Sequence, residues 1–171
     1  VLRHFTPFPY VRESRRIVGV KTMRVKDVIR DDKLKRTEKS IPDTVALGEY
    51  PVDIHGATDP HFLDLDLNEA GDIPDNMWQN TGGLFQIPFG ALIPEKVNGL
   101  VAAEKNISVS RLVSGATRLQ PVTMLTGQAA GVTAVLAVKS KKHPRELRVL
   151  DIQSELWKTK TWLSLYRFED V

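Results

Sequence analysis

Cysteine is absent from the 171 residues. Its absence excludes a disulfide framework, a thiolate metal site and a cysteine nucleophile, and it leaves the compartment open, because cysteine-free chains occur in cytosol and exterior alike. No single-sign block dominates either: 24 Lys and Arg stand against 21 Asp and Glu. The resulting +3 is spread along the chain and is too weak to argue for nucleic acid. The N-terminus lacks a signal-peptide pattern, and the chain begins at Val1 in mid-pattern, as a piece of a longer protein would. There is no internal repeat. What is present is 42% hydrophobic residues, enough to fill one core in a chain of about one domain.

Partly alternating apolar residues from Ile17 to Val28, with Gly19 between them, predict a strand pair or a strand running into a short helix. The charged stretch "RDDKLKRTEKSIPD" predicts an exposed helix or loop. A single strand is expected at "TVALGEYPVDIH", followed by a long excursion rich in Asp, Asn, Gly and Pro. In "GLFQIPFGALIPEKVNGLVAAEKNIS", two short strands are expected on either side of the turn-like "PEKVNG". The second, "GLVAA", does not alternate, as a strand covered on both faces would not. A last amphipathic helix is expected around "VLDIQSELWKTKTWL".

Between these lies "TRLQPVTMLTGQAAGVTAVLAV". From Val122 to Val138 it has no charged residue, and Gly127 and Gly131 stand four apart. Pro121 suits a first helical turn, with Thr117 or Ser114 nearby as a cap. The length and the small-residue spacing fit a membrane helix. Thr123, Thr126, Gln128 and Thr133, and the lack of a second such segment, favour instead a buried helix whose glycines permit close packing. A helix start just past a buried strand is also where α/β folds place polar cofactor groups.

The run from "GLVAAEKNIS" through "SGATRLQP" to "GQAAGV" resembles the carboxyl-terminal flavin-binding segment of the FAD-dependent oxidoreductase family often labelled xanthan lyase. That segment runs close to L-V-A-G-R-N-I-S, then G-S-T-R, then P and G-Q-A-A-G. "YVRESRRIVG", "GEYPVDIH" and "IPFGALIPEKVNGLVAAEKNIS" are similar to further blocks of the family, in the same order. This chain departs at Ala103, Glu104 and Lys105, where the family commonly has A-G-R. It also lacks the G-x-G-x-x-G that seats a cofactor pyrophosphate, an element then expected in an N-terminal half outside these residues.

The resemblance implies an α/β fold, α+β in part: an incomplete FAD-binding, Rossmann-like domain with an attached antiparallel β region. Residues 1–116 would hold the substrate-side β region, the long loop and the last strands of the FAD domain. Residues 117–171 would hold the flavin-facing helix and the C-terminal helix. It implies FAD as cofactor, with Gln120, Pro121 and Val122 near the ring through their backbone, Arg118 adding positive charge, and Asn106 and Ile107 facing the ribityl chain. A surface salt bridge is the alternative for Arg118, and an ordinary strand-ending turn the alternative for Asn106.

In "YVRESRR", strand alternation puts Arg12 and Ser14 on one face and Glu13 and Arg15 on the other, so one arginine could enter a substrate cleft while another pairs with Glu13. Taken alone such a charge run is a solvated face; the resemblance of the block implies Arg12 or Arg15 holding a substrate carboxylate or sugar hydroxyl group. His55 follows a strand and opens the long loop, which makes it the candidate general base or hydrogen-bond donor, with a structural histidine as the alternative. No metal is expected: Asp59, Asp64 and Asp66 miss the calcium-loop pattern, and His4, His61 and His143 show no ligand spacing. The parent reads as an oxidoreductase acting on a small molecule such as a sugar or an organic acid, without nucleic acid or a membrane span. An isolated chain reads alternatively as a cofactor-free module, covered by a homodimer partner or by an N-terminal half.

Overall fold

The computed structural model describes residues 15–28, 41–53 and 83–163. Its core is built on two short strands, β1 (Thr44–Gly48) and β2 (Phe85–Pro88), which pair antiparallel. Ala46 lies opposite Ile87, Leu47 opposite Gln86 and Gly48 opposite Phe85, with a bulge between Thr44 and Ala46. Every residue of both strands is buried. That accounts for the absence of clean alternation in "TVALG" and "FQIP", since both faces are covered.

The segment before β1 crosses the molecule through isolated bridges, Gly19 to Pro94 and Met23 to Val109, and ends in the short helix α1 (Val25–Val28). The expected strand running into a helix is thus reduced to single bridges and one turn. The charged stretch after it, like the long loop, lies outside the described residues apart from its ends.

Residues 106–110 form a strap laced from both sides. Ile17 N donates to Asn106 O at 3.0 Å, Ser108 N to Ala91 O at 2.8 Å, Met23 N to Ser108 O at 3.0 Å and Ser110 N to Met23 O at 2.8 Å. The buried Ser108 hydroxyl also accepts from Gly19 N at 2.9 Å. A Cβ at Gly19 would stand 2.6 Å from Ser108 Cβ and 2.9 Å from Gly90 O, so the bridge closes only around glycine.

"GLVAA" departs from expectation. It forms no strand, and Leu100 is 47% exposed; the backbone is held by Ala102 N donating to Leu92 O at 2.8 Å. An extended run becomes a strand only where a neighbouring strand pairs with it, and none does so among the described residues.

Ser110 caps α2 (Arg111–Thr117), its hydroxyl accepting from Val113 N at 3.3 Å. After a two-residue corner comes α3 (Gln120–Ser140), 21 residues long, which packs on β1 and on the C-terminal helix α4 (Val149–Lys158). By length and composition α3 is apolar enough to cross a membrane. It is not the fully buried helix expected. One face buries Val122, Thr126, Ala129, Ala130, Thr133 and Ala137, while Met124 and Val138 are 74% and 79% exposed. The buried threonines stay satisfied along the helix, as where Thr133 Oγ1 donates to Ala129 O at 2.7 Å.

α4 is amphipathic as expected, with Ile152 and Leu156 buried. It is tied to β1 by Gln153 Nε2, which donates to Pro42 O and Thr44 O, each at 2.9 Å. Helices over a small antiparallel sheet make the described residues α+β in type. Ile152→Ala should lower unfolding free energy by about 2–5 kcal/mol in a denaturant titration, and Leu150→Ala, on the exposed side of the same helix, by less than about 0.5 kcal/mol.

Candidate functional site

The corner between α2 and α3 carries the most demanding electrostatics among the described residues. Arg118 ends α2, its N–H donating to Ser114 O at 3.1 Å. Its side chain is only 8% exposed. A buried guanidinium needs partners, and Asp53 supplies two: Nη2 donates to the Asp53 carbonyl at 3.0 Å and lies 3.4 Å from its carboxylate Oδ2. The carbonyl bond is the better of the two by distance. Arg118 Nε, also buried, has no hydrogen-bond partner among the described residues.

Gly115 makes this contact possible. It lies three residues before Arg118, on the same helical face. A Cβ there would stand 2.6 Å from Asp53 O and 2.9 Å from Asp53 N, so the chain leaving β1 is pressed onto the bare helix backbone.

Directly after the corner, Leu119 N-caps α3 with no side-chain hydrogen bond. The expected caps are engaged elsewhere: Thr117 Oγ1 donates to Val113 O at 3.2 Å, and Ser114 lies within α2. Pro121 falls in the first turn, as expected, and has no N–H to offer. The amides of Gln120 and Val122 therefore start the helix without intrahelical acceptors, at the positive end of a 21-residue dipole. Gln120 and Pro121 are exposed, whereas Val122 is buried over Gly48, whose bare Cα makes room for the Phe85 ring and for a Val122 methyl.

The second predicted group lies alongside. Residues Glu104–Asn106 form a 3-10 turn that packs on α3, with Glu104 Cγ 4.0 Å from where a Cβ at Gly127 would stand. Asn106 Nδ2 donates to Arg15 O at 2.7 Å, so Arg15 is tied to this turn through its backbone while the residue itself is exposed. Ile107 is fully buried in the core, main chain included, so the predicted ribityl contact is not open at this residue. Glu104 has φ 57°, in the left-handed region. This is a conformation that glycine adopts without strain, held here by a glutamate.

The structure thus clusters Arg118, Gln120, Pro121 and Val122 at one corner and sets the Asn106 turn against the same helix. Arg118 is buried rather than part of a surface salt bridge. Arg12 and His55 lie outside the described residues. Asp53 and Gly115 were not singled out from sequence. An acid inside the "GEYPVDIH" block and a glycine one turn before the arginine were the available signals.

Glu104→Gly should raise the melting temperature, because relief of a left-handed strain of about 1–2 kcal/mol exceeds the added chain entropy of glycine. Gly115→Ala should destabilise by about 1–3 kcal/mol in the same assay, as expected for a methyl forced against backbone.

Comparison with curated proteins and with solved structures finds no match. A family model does match: FAD dependent oxidoreductase, over residues 1–156. That span covers both blocks of the corner, Asp53 on one side and Arg118 to Val122 on the other, and the chain belongs to the FAD dependent oxidoreductase family.

Proposed function

We propose that the chain forms the C-terminal part of a flavin-dependent oxidoreductase, with the α2–α3 corner against the flavin ring of an incomplete Rossmann-like domain. The observation that carries this reading is the buried, half-satisfied Arg118 beside an uncapped helix start. A cationic group with an orphan N–H, next to free amides on a helix dipole, suits an anionic or strongly accepting partner. FAD supplies the electron or hydride transfer when bound.

The roles of the chain's own residues follow from their chemistry. The Gln120 and Val122 amides donate to carbonyl oxygen or to negative charge that builds beside them on reduction, and they are already oriented by α3. Arg118 adds a positive charge that Asp53 orients through its carbonyl at 3.0 Å and partly offsets through its carboxylate at 3.4 Å. Val122 closes the apolar side over Gly48. Asn106 is proposed to line the ribityl side, and Arg12, Arg15 and His55 to serve the substrate side, where a sugar or organic acid would be held. The family match is to oxidoreductases, so polysaccharide elimination gains no support from it.

A second reading rests on the exposed apolar face of α3, Met124, Val135 and Val138: the isolated chain needs another polypeptide, an N-terminal half or a second copy, to cover it.

Titration of FAD with the purified chain, followed by flavin fluorescence quenching, tests the first reading. Saturable quenching is expected. Arg118→Ala should weaken it by roughly tenfold or more, as for loss of a charged hydrogen-bond donor, while Gln120→Ala, which keeps the amide, should change it little. Equal affinity of Arg118→Ala and the parent chain, with unchanged circular dichroism, would overturn the assignment of the corner.

A further inference from the structure

The opposite end of α3 carries a second site with a different chemistry. A groove of about 420 Å³ opens between the last two turns of the helix, the turn at Gly99 to Val101 and the segment Lys141 to Pro144. Its floor is methyl groups, from Val101, Ala134, Ala137 and Val138, and its rim is Lys141 and Lys142. A volume of this size falls in the range that small ligands occupy.

The walls are fixed by backbone bonds that do not use the lysine ammonium groups. Lys141 adopts the left-handed conformation at φ 55°, its N–H donating to Val138 O at 3.2 Å and Lys142 N to Ala137 O at 3.0 Å. These bonds satisfy helix-end carbonyls that would otherwise repel an anion. Arg145 Nη2 donates to Pro94 O at 2.5 Å, Val97 O at 3.1 Å and Glu95 O at 3.2 Å, pinning the loop before Gly99. Gly99, at φ 72°, turns that loop back toward the groove. His143 N donates to Glu146 Oε2 at 2.7 Å, holding the far wall.

Charge is concentrated here. Residues 139–148 contain Lys139, Lys141, Lys142, Arg145 and Arg148 against Glu146 alone, a net +4 where the whole chain has +3. Arg145 is spent on carbonyls, and Arg148 on Asp151 at 2.6 Å. The charge of Lys142 acts in part on the Asp151 carboxylate, which Arg148 also holds, and Lys141 is the rim cation farther from that acid in the chain.

We propose that this groove binds an amphiphilic anion: a carboxylate or phosphate head on a short aliphatic body. The body lies on the Ala134, Ala137 and Val138 methyls, and the head meets the Lys141 and Lys142 ammonium groups. A purely ionic ligand would leave the floor wet, and a neutral one would leave the rim unused. The helix from Gln120 to Ala134–Val138 separates this groove from the α2–α3 corner by roughly 20–27 Å, so it stands independently of any flavin.

Calorimetric titration of the full chain with octyl phosphate below its micellar range, with inorganic phosphate and with 1-octanol tests this. Saturable one-to-one binding of octyl phosphate is expected, roughly tenfold or more tighter than either control. The double change Lys141→Gln, Lys142→Gln should weaken it by at least about tenfold, and so should Ala134→Trp, which fills an exposed position in the floor. Circular dichroism checks that each variant stays folded. A phosphatidylglycerol vesicle arm separates the two sources of such a head group: capture that depends on the same lysines assigns it to a lipid, and no capture assigns it to a free ligand. No saturable binding of octyl phosphate, equal binding of inorganic phosphate, or folded lysine variants that bind unchanged would overturn the proposal.

Discussion

A charged guanidinium taken out of water must be given acceptors, and the placement of Arg118 follows from that requirement. Its carbonyl partner comes from Asp53, just beyond β1, so the bond ties the end of the sheet to the junction of two helices. The contact in turn depends on Gly115, because only a bare helix backbone lets Asp53 approach closely enough for the arginine one turn later to reach it. Gly48 plays the same part on the other side, admitting the Phe85 ring and a Val122 methyl where a Cβ would stand. Two missing side chains and one buried charge thus set where α3 begins and which way its first amides point.

The remainder of α3 shows how a helix with apolar residues on all sides behaves when only one side finds a partner. β1 and α4 cover the face of Ala129, Ala130 and Ala137, whose small side chains bring the backbones close, and that face also buries Thr126 and Thr133. Those hydroxyls are tolerated because each returns its proton to a carbonyl of its own helix. The bulkier Met124, Val135 and Val138 are left outside. Burial in this helix therefore follows the face that meets β1 and α4: Ala134 and Gly131 are exposed despite their size, while Val122 is buried and Leu125, Val132 and Leu136 are partly buried.

Glu104 illustrates a backbone constraint imposed on a residue that is not glycine. The turn after Ala103 needs a left-handed residue so that Asn106 can meet Arg15 and Ile107 can enter the core. The strap from 106 to 110, bonded on both sides, holds that turn in place. Strain at one residue is sustained because several backbone hydrogen bonds would be lost together if it relaxed.

The periodic elements were legible in the sequence. α4 was marked by its amphipathic spacing, α3 by its uncharged run with Pro121 at the start, and β1 by its β-branched and apolar residues; the order of the flavin-like blocks pointed to the FAD dependent oxidoreductase family. Local pattern suffices there because helix and strand periods are properties of neighbouring residues. "GLVAA" misled because a strand exists only with its partner, and a partner is a non-local fact. For the same reason the half-exposed state of α3, the Asp53 carbonyl under Arg118 and the gap at Gly115 were decided by tertiary structure alone: each depends on segments far apart in the chain meeting at a distance that no spacing along the sequence encodes.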